Sequence, residues 1–258
     1  MPLAAPAWTP PAQPDPQAIL AEAREDRIAK RFDDALAKQL WFHNEALQVD
    51  PAFGGVRLSF ALAQWANLAS KYEPAMIALQ RARDAAEADV REGRGARQAF
   101  ATFAAINREL DEEQRTHELF RWVDGNDALL ARFTYPMAQS ALVEAKDYAL
   151  CGKYLEPAAE LARLAEVARS IDATMKRRFV QMQEKEAFDR FVINGAGTLV
   201  AILAVNGRKR EAIEMADGAK RILDTPEMRT ALEQALEGRV PPRFPSGAEA
   251  KALRESMP

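Results

Sequence analysis

Residues 59–87 read SFALAQWANLASKYEPAMIALQRARDAAE, and they decide the fold because they describe two short helices turned back on one another. In the first half, Phe60, Ala63, Trp65, Leu68 and Ala69 recur at about the 3.6-residue spacing of a buried helical stripe. After the Lys71-Tyr72-Glu73-Pro74 corner, Ala75, Leu79 and Ala82 repeat the pattern, with Gln80, Arg81, Arg83 and Asp84 on the remaining face. Pro74 suits the first turn of the second helix, where a missing N–H costs nothing. A hairpin this small cannot bury both apolar stripes alone, so its neighbours must be further hairpins.

On the N-terminal side, Asp15-Pro16 is an N-cap and first-turn pair for a helix whose apolar side is Ile19, Leu20, Ala23 and Ile28. A second helix runs from Phe32 to Val49 and ends at Asp50-Pro51, because the residue before proline avoids helical backbone. Gly54 and Gly55 are expected to form a loop. On the C-terminal side, the polar run at 91–98 precedes a helix with Phe100, Phe103, Ala104 and Ile106, closed by Leu110. The acids Asp111, Glu112 and Glu113 open the next, favourably placed against its N-terminal dipole, and Leu119, Phe120 and Val123 line it. A helix over 127–145, broken or bent near Pro136, is followed by one starting near Tyr148 and by a charged helical stretch over 157–187. Residues 191–205 are nearly all apolar or small, Asn206-Gly207 turns the chain, and Ala212, Ile213, Ala216, Ala219 and Ile222 return. At about 15 residues, with Asn194 inside, 191–205 reads as a central buried helix rather than a membrane span. Pro226 begins a last helix to about Leu236, stopped by Gly238.

The organisation expected is a Pro/Ala-rich flexible arm over 1–15, an α-hairpin repeat domain over 16–238 and a mobile tail over 239–258. The chain has 258 residues with 48% hydrophobic content, enough for a substantial core. Thirty-five basic against 38 acidic residues leave a formal charge of −3, so no overall field draws in nucleic acid or an anionic membrane. Cys151 is the single cysteine and reads as a small buried apolar residue; Trp8, in the arm, reads as a ring folding onto a nearby surface. The N-terminus lacks the basic start and apolar core of a secretory signal, and a cytoplasmic protein is the expectation.

Set side by side, the corners share an aromatic followed by small or apolar residues three and seven positions on: Tyr72, Ala75, Leu79; Phe32, Ala35; Tyr148, Cys151, Leu155; and, with Lys209 in the aromatic place, Ala212 and Ala216. This resembles the tetratricopeptide repeat, over about 16–236, with corners near 32, 72, 112, 148 and 208. The resemblance implies an all-α fold, a right-handed α-α superhelix of about four to five hairpins. It also implies a scaffold that binds a peptide or partner protein in a concave groove lined by the first helix of each pair.

Catalytic chemistry finds little support in the motifs. His43 and His117 have no Glu three residues before them and no HExxH setting, so no metal site is expected. Phe32-Asp33-Asp34 lacks the third acid of a magnesium-binding cluster, and Gly93-Arg94-Gly95 and Gly195-Ala196-Gly197 lack the final glycine and preceding strand of a phosphate loop. No catalytic residue and no cofactor is expected, with an all-α enzyme or a self-assembling regulatory protein as the alternatives. In the repeat register the groove residues are Arg24, Arg27, Arg57, Gln64, Asn67 and Arg108, a strip of long donors suited to acidic side chains or backbone carbonyls of a peptide.

Overall fold

The computed structural model describes residues 8–178 and 182–242, with side chains outside 171–184. The described residues are all-α, without a strand. They form α1 (Pro16–Ile28), α2 (Phe32–Val49), α3 (Gly54–Arg57), α4 (Phe60–Ala69), α5 (Glu73–Arg91), α6 (Ala96–Glu109), α7 (Glu113–Asn126), α8 (Ala128–Glu144), α9 (Tyr148–Tyr154), α10 (Pro157–Arg178), α11 (Met182–Val205), α12 (Lys209–Ile222) and α13 (Pro226–Leu236). They gather into two compact units, Met1–Ala141 and Leu142–Pro258.

In the first unit, α1 packs on α2, α4 on α5 and α6 on α7, while α1, α4 and α6 touch in series. The α4/α5 hairpin is held by Trp65, 1% exposed, whose indole N–H donates to the Ala75 carbonyl at 3.1 Å. Leu62, Leu68, Leu79, Ala75 and Ile106 close around it. The α6 helix is buried along the whole of Phe100 to Asn107, and the rings of Phe100, Phe120 and Tyr135 succeed one another at 6.1 and 6.3 Å. The chain enters through Trp8, edge-on to Trp41 at 6.5 Å with Lys38 Nζ 5.6 Å from its centroid. Lys38 is itself buried and paired with the buried Asp26, which also accepts from Arg31 Nε at 2.9 Å. Burial alone would raise the Asp26 carboxyl; the hydrogen bonds and charges of Lys38 and Arg31 outweigh it and hold the group below its usual range.

In the second unit α11 is central, packed by α9, α10, α12 and α13. Lys185–Val205 is long and apolar enough, by length and composition, to cross a membrane. Within the unit its second half is core, with Val200, Ala201, Ile202 and Leu203 fully buried. Two glycines allow close approach: a Cβ on Gly152 would lie 2.3 Å from the Asn206 side chain, and one on Gly218 would lie 2.3 Å from Leu161 Cδ2. Arg208 Nη1 donates to the carbonyls of Gly152 and Leu155, both at 2.9 Å, satisfying the end of α9. Of the C-terminal tail, 243–258 lie outside the described residues, as do 1–7 of the arm. Pro242 is fastened to α11 by Asn194, whose Nδ2 donates to its carbonyl at 2.8 Å.

Four hairpin corners share one geometry. Lys30, Asp111, Lys146 and Gly207 each adopt left-handed backbone, with φ of 62°, 55°, 58° and 72°. The next residue's N–H bonds back five positions, from Arg31 to Asp26, Glu112 to Asn107, Asp147 to Leu142 and Arg208 to Leu203, at 2.8 to 2.9 Å. A helix restarts immediately after, at Phe32, Glu113, Tyr148 and Lys209. The Tyr72 corner differs, turning through Lys71 without left-handed backbone, and its ring meets Phe32 at 5.5 Å.

Several expectations are corrected. The α4 stripe is rotated: Ala61, Leu62, Trp65, Leu68 and Ala69 are buried, while Phe60 is 73% exposed and Ala63 is exposed. The rotation follows from 100° per residue, which puts Phe60 about 140° from Trp65. Ile28 and Ile213, expected on buried faces, are 63% and 52% exposed. Arg83, expected on the solvent face, is buried between Asp84 and Glu112, which supply its counter-charges. Gly54 and Gly55 are helical rather than loop, because Asp50 caps the Ala52 N–H at 2.9 Å and starts a 3-10 turn that runs into α3. Pro136 does not break α8.

Replacing Trp65 with Ala is expected to cost about 3 to 5 kcal/mol, and Ala75 with Leu about 1 to 3 kcal/mol through overpacking, read from thermal or urea melting. Lys30→Gly and Lys146→Gly are each expected to raise stability by about 0.5 to 1 kcal/mol, since glycine relieves left-handed strain without loss of the bond behind it. Unchanged or lowered melting temperatures in both glycine variants would contradict that account of the corners.

Candidate binding groove

A groove of about 590 Å³ lies in the first unit between α1, α3 and α4, lined by Leu20, Phe53, Val56, Ile28 and Phe60, with Gln17, Arg24, Glu25 and Gln64 as its polar members. Leu20 is buried beneath it, where the α1/α2 pair meets Phe42 and Ala46, while Ile28 and Phe60 stand out into solvent. Gln64 Oε1, on the residue beside this apolar wall, is buried and has no hydrogen-bond partner.

Of the six residues in the expected strip, Arg24 and Gln64 are brought together here. Arg27 lies one turn along α1 from Arg24, partly buried, its Nε also buried and unbonded. The other three lie apart from the groove. Asn67 is exposed on α4, and Arg108 Nη2 donates to the Leu58 carbonyl at 3.1 Å. Arg57 turns the opposite way: its Nε donates to the His43 carbonyl at 2.6 Å, its Nη1 to Thr102 Oγ1 at 3.1 Å, and its Nη2 to His43 Nε2 at 3.0 Å. Because a guanidinium only donates, His43 Nε2 must be the acceptor, which fixes the neutral ring with its proton on Nδ1. Burial first, and the Arg57 charge second, depress the His43 imidazole to about 3.

Residues that sequence reasoning missed are apolar. Phe60 and Ile28 are expected on buried faces and Phe53 and Val56 are not singled out by the sequence, whereas all four line the groove. The signal for Phe60 was present in the phase of Trp65, Leu68 and Ala69, with which it disagrees. Among the described residues no group of three or more His, Cys, Asp and Glu side chains comes together as a metal site. Cys151 is fully buried, and burial, reinforced by Asp147, pushes its thiol up to about 12. Comparison with family models, with curated proteins and with solved structures finds no match to this chain.

The neutral His43 makes stability pH-dependent. Its folded value of about 3 lies below the ordinary 6.5, so the stability it contributes is complete above 6.5 and is lost as pH falls toward 3. Asp26, also depressed, adds a further loss below its ordinary value of 3.8. The melting temperature should therefore decline as pH drops through the histidine range, and His43→Gln should flatten that decline; a profile level from pH 7 to pH 4 in the unsubstituted protein would contradict it.

Proposed function

We propose that this chain is a protein-interaction scaffold, an array of helical hairpins of the tetratricopeptide-like kind coiled as a right-handed α-α superhelix. Its groove between α1, α3 and α4 takes a peptide segment of a partner protein. The hairpin reading is supported by the series α1, α4, α6 and by the recurring left-handed corners. The observation that carries the binding reading is Phe60, a large aromatic left 73% exposed on a helix whose other face is fully packed. It stands over a groove that already holds an unbonded buried acceptor, Gln64 Oε1. An exposed aromatic at the mouth of a concave apolar surface is the setting of an interface anchor.

The ligand chemistry follows from the lining. An apolar side chain of the peptide fills the space between Phe53, Val56 and Phe60, and a rotation of the Gln64 side chain brings its buried, unbonded Oε1 to a backbone N–H beside it. Arg24 and Glu25 sit on the same wall, so the groove carries both charge signs and selects by apolar fit rather than by an acidic partner alone.

Panning a random peptide library against the purified chain, followed by titration calorimetry of the enriched peptides, tests the reading. Enriched sequences should share a large apolar residue. Phe60→Asp should weaken them more than tenfold, a loss above about 1.4 kcal/mol, while its melting temperature stays near that of the unsubstituted chain because so exposed a ring holds little of the core. Enriched peptides that bind Phe60→Asp and Gln64→Leu as well as the original would remove the groove from consideration.

A further inference from the structure

We propose that the first unit carries a second site, chemically distinct from the apolar groove: an oxyanion pocket built on the Arg57 guanidinium, which takes a small carboxylate- or phosphate-bearing ligand. A cavity of about 390 Å³ opens between α2, α3, α5 and the start of α6, and Arg57, Asn44, Gln98 and Thr102 line it together with Asp89 and Arg94. It does not depend on the peptide reading of the groove.

Arg57 carries an uncompensated charge. Arg57 is partly buried, and its three hydrogen bonds all go to uncharged acceptors, the His43 carbonyl, His43 Nε2 and Thr102 Oγ1. A guanidinium has five N–H groups, so two remain beyond those three. Among the described residues no carboxylate pairs with it, and burial alone lowers its affinity for the proton, with no anion acting in the other direction. The two fully buried cations of this unit are neutralised, Lys38 by Asp26 and Arg83 by Asp84 and Glu112. Withdrawing a cation from water without a counter-charge is unfavourable, and an anion entering the cavity removes that cost while accepting the free N–H groups.

Of the two arginines in the lining, Arg94 is held by Asp89 and Glu92, and Arg57 is the one with no carboxylate beside it. His43 cannot supply a negative charge and is held neutral. Asp89, the one carboxylate of the lining, is engaged by Arg94, with Nε 2.9 Å and Nη2 2.6 Å from Oδ1. The α6 helix begins at the cavity, and its N-cap, Gly95, offers no side-chain cap, so the first-turn N–H groups add positive potential beside Gln98. The volume suits a small molecule, not a folded partner.

The test is an amide-resolved NMR titration of the full chain with sodium phosphate, sodium acetate and sodium chloride in parallel, at constant ionic strength and neutral pH. Saturable shifts of the Asn44, Gly95, Gln98 and Thr102 amides are expected with phosphate, with acetate or with both, and none with chloride. Phosphate alone assigns a phosphoryl ligand, acetate alone a carboxylate ligand. Arg57→Gln should abolish the shifts, and Arg57→Lys, which keeps the charge without the forked geometry, should weaken binding roughly tenfold. If either substitution unfolds the chain, the unsubstituted titration decides. Absence of saturable shifts at these amides up to 50 mM of both anions, or shifts that survive Arg57→Gln unchanged, would overturn the proposal.

Discussion

The hydrogen bond from the Trp65 indole to the Ala75 carbonyl ties two helices through a ring that is itself 1% exposed, and most of the first unit is arranged around that fact. A buried indole must place its N–H somewhere, and the first turn of α5 is the acceptor within reach. This fixes how α4 lies on α5. It also sets the ring against the edge of His43 at 5.3 Å, so α2 is bound into the same arrangement. Because His43 then accepts from Arg57, a continuous chain of contacts runs from the α4/α5 core to α3 and on through Thr102 to α6. Protonating His43 would break this chain by placing two cations side by side.

The apolar groove and the polar cavity of the first unit owe their contrast to adjacent residues. Val56 and Arg57 follow one another in α3 and point about 100° apart, the first into the apolar groove with Phe53 and Phe60, the second into the polar cavity with Asn44 and Gln98. A helix of four residues thus serves as the partition between them. Its formation depends on the Asp50 cap; the glycines at 54 and 55 meet nothing within 4 Å, so nothing there requires glycine.

Helix positions were legible in the sequence because their ends carry strong local chemistry: Asp15-Pro16, Asp50-Pro51, Asn206-Gly207 and Pro226 mark boundaries found where they were expected. Three of the four left-handed corners were not legible as such, since Lys30, Asp111 and Lys146 occupy the place that glycine advertises at Gly207. Their regularity appeared in sequence only as unevenly spaced aromatics. The groove was half legible. Arg24 and Gln64 were placed in it by register, but long polar side chains carry no record of which neighbour they will bond. Arg57 was therefore put on the same strip although the His43 carbonyl draws it to the other side. Phe60 is apolar enough to suggest a buried position, but the α4 core, Leu62 to Ala69, sets a helical phase that excludes it.

The recurring corner also bears on how the chain folds. Each one is completed by a bond spanning five residues and is followed at once by the next helix, so a hairpin can form from sequence neighbours without closing a long loop. Chains dominated by such near-neighbour packing fold quickly and have several places to begin. Here α1/α2, α6/α7 and α11/α12 each possess a corner of this kind and the apolar residues to close on it. The α4/α5 pair, whose corner lacks it, instead depends on the side-chain bridge from Trp65 to Ala75, a contact ten residues apart that can form only once both helices exist.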